Sequence, residues 1–338
     1  MMRYSLGVMG VFLFACQSPP DSPVNPIVDL HVPRHFPEMV IPLDNPPTLL
    51  GIELGRKLFY DKRLSGDGST SCASCHLVSS AFTDGKMTSE GFNGKFGKRN
   101  APTLANVGWL PRLMSEGGVP SLEMQVLAPS IDTNEMNFNL GKSADLLRAD
   151  EELNRLSWDA YQRDLDAYVI VRAVASFERT FISGDSRYDR AVYLHTDSMT
   201  DEEIAGMNLF FSARTNCSSC HAGVFFTDDG YYNVGLYDDY QDKGRQRVTY
   251  SADDIGKFKV PTLRNIELTA PYMHDGSLNT LEDVIDFFNS GGAPHPNKDA
   301  RIHPLLLNTQ EKKELVAFLK TLTDWNFVQN VSYLPTGS

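Results

Sequence analysis

The chain has 338 residues, 41% hydrophobic and 22% charged, enough for about two ordinary domains with sizeable cores. Its formal net charge is −12, from 43 Asp and Glu against 31 Lys and Arg. This acidic excess, with no basic stretch to offset it, argues against nucleic acid as a partner and permits docking to a basic protein.

In chain order, residues 1–15 (MMRYSLGVMGVFLFA) combine one early Arg with an apolar run too short to span a bilayer, the pattern of an export signal. Leu13-Phe14-Ala15-Cys16 resembles a bacterial lipobox, in which the cysteine is acylated and becomes the mature N-terminus. The alternative is an ordinary secretory signal removed together with Cys16. Residues 16–44 open with the Pro- and Ser-rich CQSPPDSPVNP and read as a tether. The expectation is an exported, periplasmic protein held to a bacterial membrane by lipid alone. Gln17 follows the cysteine in place of the Asp that often retains lipoproteins at the inner membrane.

SCASCH at 71–76 and NCSSCH at 216–221 are the chemical centre of the sequence. A four-cysteine zinc site fits the count, but ribbon-type sites place their pairs within a few tens of residues, whereas these lie 145 apart and each carries an extra His. A thioredoxin-like redox motif would need a βαβ unit, and no such pattern is visible. Cys-x-x-Cys-His is the attachment pattern of c-type haem: two thiols add across the vinyl groups and the His turns onto the iron. The expectation is two covalent haems, one on Cys72, Cys75 and His76, the other on Cys217, Cys220 and His221. With Cys16 acylated, none of the five cysteines is left for a disulfide.

Ser143 is placed to cap a helix containing Leu146 and Leu147. Residues 167–182 read as an apolar, buried helix, and Thr200 with Glu203 forms a capping box before Ile204, Met207 and Phe211. TLEDVIDFFNSGG puts Leu281, Val284, Ile285 and Phe288 on one helical face; Asn308 and Glu311 start another helix bearing Leu315, Phe318, Leu319 and Leu322. Strand signals are sparse, so the fold is expected to be mainly α. The haem motifs share their surroundings: LGRKLFYDKRLSGDGSTSCASCH and AGMNLFFSARTNCSSCH, AFTDG and FFTDDG, RNAPTL and KVPTLRN. An internal duplication is expected, giving two cytochrome c-like domains over residues 45–195 and 196–330.

From about residue 45 to 325 the chain resembles the bacterial di-haem cytochrome c peroxidases, a family that includes the MauG-type enzymes. The resemblance lies in LGRKLFYDKRLSGDGSTSCASCH, KRNAPTLANV, LEMQVLAPSIDTNEM, KVPTLRNIELTAPYMHDGSLNTLEDVIDF and the second haem motif, in the family's order. It implies a peroxidatic haem in the N-terminal domain and an electron-transfer haem in the C-terminal one. Gln125 and Glu135 match the family's distal pair, ten residues apart, with Pro129 between them. Glu135 would move a proton from one peroxide oxygen to the other, and Gln125 would orient the peroxide. Asn100, Thr269 and Pro271 match the family's calcium ligands, an oxygen-only set that suits Ca²⁺.

Three positions depart from the pattern. Phe92 stands where several peroxidases carry a His that blocks the first haem, so that haem is expected to be open as isolated. Phe288 stands where the second haem's Met or Tyr ligand is found, and is read as core packing. Ser115 replaces the Trp relay between the haems; Trp109, six residues away, is read as a core residue. Tyr272 and Met273 lie close in sequence, His274 is assigned a hydrogen bond near the second haem, and His295 and His303 are placed on the surface.

The leading expectation is an enzyme that reduces hydrogen peroxide, with electrons from a small donor protein such as a cytochrome c or cupredoxin. The alternatives are MauG-like oxidation of a partner protein's side chains, or a non-enzymatic lipid-anchored electron carrier or haem sensor. The resemblance also implies a possible homodimer.

Overall fold

The computed structural model describes residues 24–335; the expected export signal and Cys16 lie outside the described residues. Five helices organise it: α1 (Leu49–Phe59), α2 (Ala167–Glu178), α3 (Asp201–Phe210), α4 (Leu281–Ser290) and α5 (Thr309–Lys320). Shorter helices and turns connect them. Among the described residues the sheet is a single pair of two-residue strands, β1 (Tyr231–Tyr232) and β2 (Phe258–Lys259), antiparallel with Tyr231 opposite Lys259. The chain is therefore mostly helical, with little sheet.

The capping boxes form as the sequence predicts: Thr200 with Glu203 opens α3 and Asn308 with Glu311 opens α5. Ser143 is not a cap. Asn139 accepts from the backbone N–H groups of Gly141 and Lys142 and starts the helix Leu140–Arg148 earlier, leaving Ser143 buried inside it. The amide side chain reaches two free N–H groups at once, which fixes the start one turn upstream. α2 ends at Glu178, before the predicted residue 182; Thr180 turns its hydroxyl onto the Phe177 carbonyl at 2.6 Å.

Two hydrophobic cores result. In the first, α1 crosses α2 and buries Leu54, Leu58, Phe59 and Phe177 around Phe82 and Phe181. In the second, α3 crosses α5 and buries Phe210, Leu315 and Phe318 around Phe226. A fully buried side chain of this size contributes about 1.5–3 kcal/mol. Both crossings depend on a glycine: a Cβ on Gly55 would overlap the Ala173 carbonyl, and one on Gly206 the Glu314 carbonyl. Tyr188 packs into the second core, while Phe327, Val328 and Tyr333 return to the first.

Buried polar groups join the cores. Asn106 and Asn265 both adopt left-handed backbone, with φ of 59° and 61°, a conformation that Asn tolerates better than most residues. Asn106 exchanges two 2.9 Å hydrogen bonds with the Ser183 main chain. Asn265 donates to Ser183 Oγ at 2.9 Å and accepts from the Asp324 N–H at 2.8 Å. Every polar atom committed here is paired, which the burial demands. Across this junction lies the N-terminal strap: Phe36 packs on Trp109 and Phe225, and Trp109 Nε1 donates to Pro37 O at 2.9 Å.

Candidate functional site

Each Cys-x-x-Cys-His segment forms a single tight turn. In the first, Cys72–Cys75 is one helical turn opened by Ser71 and Ser74, and the His76 N–H donates to the Cys72 carbonyl at 3.0 Å. In the second, Cys217–Ser219 is a 3-10 turn, and the His221 N–H donates to the Cys217 carbonyl at 3.0 Å. The turns hold each pair of thiols beside its imidazole, and none of these four cysteines forms a disulfide.

The imidazoles are held alike. His76 Nδ1 lies 2.7 Å from Phe82 O, and His221 Nδ1 lies 3.0 Å from Phe226 O. Phe82 and Phe226 have φ of 63° and 52°, the strained backbone that turns each carbonyl onto its ring. A carbonyl only accepts, so Nδ1 carries the proton and Nε2 keeps its lone pair. Burial lowers both imidazole pKa values and favours the neutral form. Two thiols outside any disulfide, beside an imidazole with Nε2 available, fit a c-type haem in both segments.

A cavity of about 420 Å³ lies against Cys217, Cys220 and His221. Val284, Ile285 and Phe288 of α4 form one wall, and the cavity reaches Trp109, Ser115 and Gln125. Phe288 thus faces inward, partly buried against the second core. Trp109 is half-buried at the junction and lines this cavity, so it is not a core residue. His274 lies flat on Phe258, with ring centroids 3.9 Å apart. His295 is not on the surface: it is half-buried, accepting from the Asn297 N–H at 3.0 Å with Tyr240 edge-on to its ring. His303 is exposed and lines the cavity. A separate 620 Å³ depression under the strap is lined by residues such as His31, Arg34 and Asp185 and by no cysteine.

Gln125 ends the short helix Leu122–Gln125, which Ser121 caps. Glu135 sits on the turn after the helix Leu127–Ile131, folded back by bonds from Met136 N to Pro129 O (3.1 Å) and from Phe138 N to Ser130 O (2.6 Å). A second segment locks it: the Phe92 N–H donates to Glu135 O at 2.7 Å, and Gly91 is so close to the Asn134–Glu135 backbone that any side chain there would collide. The Glu135 residue is exposed, but surrounding protein crowds its carboxyl. That desolvation raises its pKa above the ordinary Glu value; Asp132 adds to the rise and Arg99 opposes it. Phe92 offers only a hydrocarbon ring, with the Lys95 ammonium 5.7 Å from its centroid.

Sequence reasoning missed Arg99, which is bound by Asp242 at 2.6 and 3.0 Å and by Glu116, and which ties the Glu135 side of the molecule to the second half. Its only sequence signal was its place immediately before Asn100. Asn100, Thr269 and Pro271 line the same cavity. Asn100 Nδ2 donates to Lys86 O at 2.7 Å, which turns the amide so that Oδ1 is its remaining acceptor. Among the described residues no group of three or more His, Cys, Asp or Glu side chains is placed to hold a metal ion, and no helix is long and apolar enough to cross a membrane.

Paired Cys-x-x-Cys-His turns in a helical fold define a cytochrome with c-type haem chemistry. A sequence profile described as di-haem cytochrome c peroxidase matches residues 50–197. The cytochrome-c peroxidase IdrP1 of Denitromonas iodatirespirans is 34% identical, covering 95% of this chain and 93% of that protein. The methylamine utilization protein MauG of Methylorubrum extorquens is 33% identical, covering 83% and 80%. The crystal structure of a MauG-like protein associated with microbial copper homeostasis superposes with a TM-score of 0.87 at 36% identity, covering 91% and 99%. The chain belongs to the di-haem cytochrome c peroxidase family. It is a haem peroxidase, an oxidoreductase of a family that carries two c-type haems.

Proposed function

We propose that the protein reduces hydrogen peroxide at the haem held by Cys72, Cys75 and His76. Cys217, Cys220 and His221 would hold a second haem, which would supply the entry point for electrons from a small donor protein. Two electrons and two protons convert one peroxide to two waters. When bound, the haem supplies the redox-active iron at which the O–O bond is cleaved. The chain supplies proton transfer: Glu135 takes the proton from one peroxide oxygen and returns it to the departing one, while the Gln125 amide orients the peroxide. A carboxyl with a raised pKa is a stronger base when ionised, which suits it to take the first proton.

The observation that carries this reading is the double fixation of Glu135, by its own folded-back turn and by the Gly91–Phe92 segment. A pure electron carrier has no use for a crowded carboxyl so held. Steady-state peroxide reduction with a reduced small cytochrome c, with and without Glu135→Gln, tests it.

The remaining assignments belong to the same proposal. Asn100, Thr269 and Pro271 hold a calcium ion through oxygen atoms. The halves 45–195 and 196–330 are duplicated cytochrome c-like domains; the support is the repeated glycine crossings, the paired left-handed Asn106 and Asn265, and the paired histidine turns. The protein is exported to the periplasm and anchored by lipid on Cys16.

A second reading is oxidation of side chains on a partner protein, favoured by the likeness to MauG and to a MauG-like protein associated with copper homeostasis. Ser115 and Phe288, in place of the relay Trp and the ligand Tyr, weigh against it. A spectral intermediate that persists after peroxide, without donor turnover, would favour it.

A further inference from the structure

We propose that His303 would join His221 in holding the iron of the haem carried by Cys217, Cys220 and His221, a role Phe288 cannot fill. This rests on the reading of His221 as that haem's first ligand. His221, Phe288 and His303 line one cavity.

The chain on either side of His303 is anchored to the surroundings of that haem. Arg301 Nη1 donates to the carbonyl of Ser219, inside the second haem motif, at 3.1 Å. Arg214, just before the motif, donates to Leu306 O at 2.7 Å. On the other side, the Leu305 N–H donates to Asn289 O at 3.2 Å and the Leu307 N–H to Asn289 Oδ1 at 2.7 Å, and Asn289 adjoins Phe288. Gly291, at φ 83°, lets the backbone of His303 and Pro304 approach the end of α4; a Cβ there would lie 2.9 Å from the His303 carbonyl carbon. Residues 301–307 thus run from the haem motif to the helix end that carries Phe288.

The ring itself is prepared. His303 Nδ1 lies 3.2 Å from Pro304 O, which puts the proton on Nδ1 and leaves Nε2 with its lone pair. His76 and His221 also place Nδ1 on a main-chain carbonyl, six and five residues further along the chain where His303 uses that of the next residue, and no other histidine among the described residues does so. Such a hydrogen bond is the usual means of orienting a metal-binding imidazole. The competing side chains are less suited. Tyr272 commits its hydroxyl to Ile266 O at 2.9 Å, His274 is stacked flat on Phe258, and His295 turns Nδ1 to the Asn297 N–H.

Two imidazoles would make this haem six-coordinate and low-spin, closed to peroxide and suited to electron transfer. A methionine ligand raises a haem's potential, so histidine in its place would set the second haem lower and demand a correspondingly low-potential donor.

The test uses the full holoprotein, with haem content measured chemically and the ferric protein examined by EPR and near-infrared magnetic circular dichroism. One of the two haems should show a bis-imidazole low-spin signature. In His303→Ala that signature should be lost while both haems are retained, and added imidazole should restore it. His303→Met, which keeps a ligand, should replace it with a histidine–methionine charge-transfer band. An unchanged low-spin signal in His303→Ala with both haems bound would overturn the assignment. A wild-type chain carrying one haem, or a His221→Ala variant with unchanged spectra, would overturn this assignment together with the reading beneath it.

Discussion

The Phe92 backbone N–H donates to the carbonyl oxygen of Glu135 at 2.7 Å. The segment that carries a blocking histidine in several peroxidases is here a brace for the proposed acid–base group. Gly91 makes the contact possible, because no other residue leaves room for the Glu135 backbone.

Gly91→Ala should therefore push the Glu135 turn outward. A displacement of about 1 Å at a catalytic group can cost roughly 100-fold in rate. Peroxidase kcat/KM should fall on that order while haem content and the visible spectrum of the ferric protein stay as in wild type. Stopped-flow and steady-state assays of the purified variant check this.

Because Phe92 brings no nitrogen to the first haem, the protein as isolated should react with peroxide without prior reduction. Rapid mixing of the fully oxidised protein with one equivalent of peroxide should change the Soret band within the mixing experiment. Spectral inertness until a reductant is added would refute an open site.

Glu135 must be ionised to accept the first proton, and desolvation of its carboxyl by the protein around it raises its pKa. The acid limb of kcat/KM should therefore lie above the ordinary Glu range of about 4.3. Activity is full above that raised value and falls as pH drops through it. Glu135→Gln should remove the limb along with most of the rate, and a pH–rate profile of both proteins decides.

Away from the proposed site, Asp189 and Arg264 are both 0% exposed and joined by hydrogen bonds of 2.7 and 2.9 Å. Asp189→Asn leaves a buried guanidinium without its counter-charge and should cost about 3–5 kcal/mol, read from denaturant unfolding. Although burial itself opposes ionisation, Arg264 and Ser186 hold the Asp189 carboxyl below its ordinary pKa. Its stabilisation is complete above the unfolded value of about 3.9 and is lost as pH falls through the lower folded value. His35, whose ring lies 3.2 Å from Asp189, is held neutral by burial. It acts in the same direction from below about pH 6.5, where the unfolded chain takes up a proton that the folded chain does not.

What was legible in the sequence was local. The haem motifs, the Thr200–Glu203 and Asn308–Glu311 boxes and the apolar face of α4 each follow from residues a few positions apart. The Ser143 cap failed because Asn139, equally local, reaches two N–H groups and wins. The remaining features depend on contacts between distant segments. Nothing near Gly91 in sequence signals Glu135, and nothing near His303 signals Asn289 or Ser219. Trp109 reads as core from sequence because its hydrogen-bond partner, the Pro37 carbonyl, is 72 residues upstream. The Asn106–Ser183–Asn265 junction had a faint sequence trace, since an asparagine follows both PTL segments at the same offset.

The most direct test is steady-state peroxide reduction by the calcium-loaded holoprotein, with a reduced small c-type cytochrome as donor, beside Glu135→Gln. Rapid donor oxidation in the wild type that collapses in the variant, with both haems retained, is the expected result. Equal rates in the two proteins, or no donor oxidation by either, would contradict a peroxidase whose proton transfer runs through Glu135.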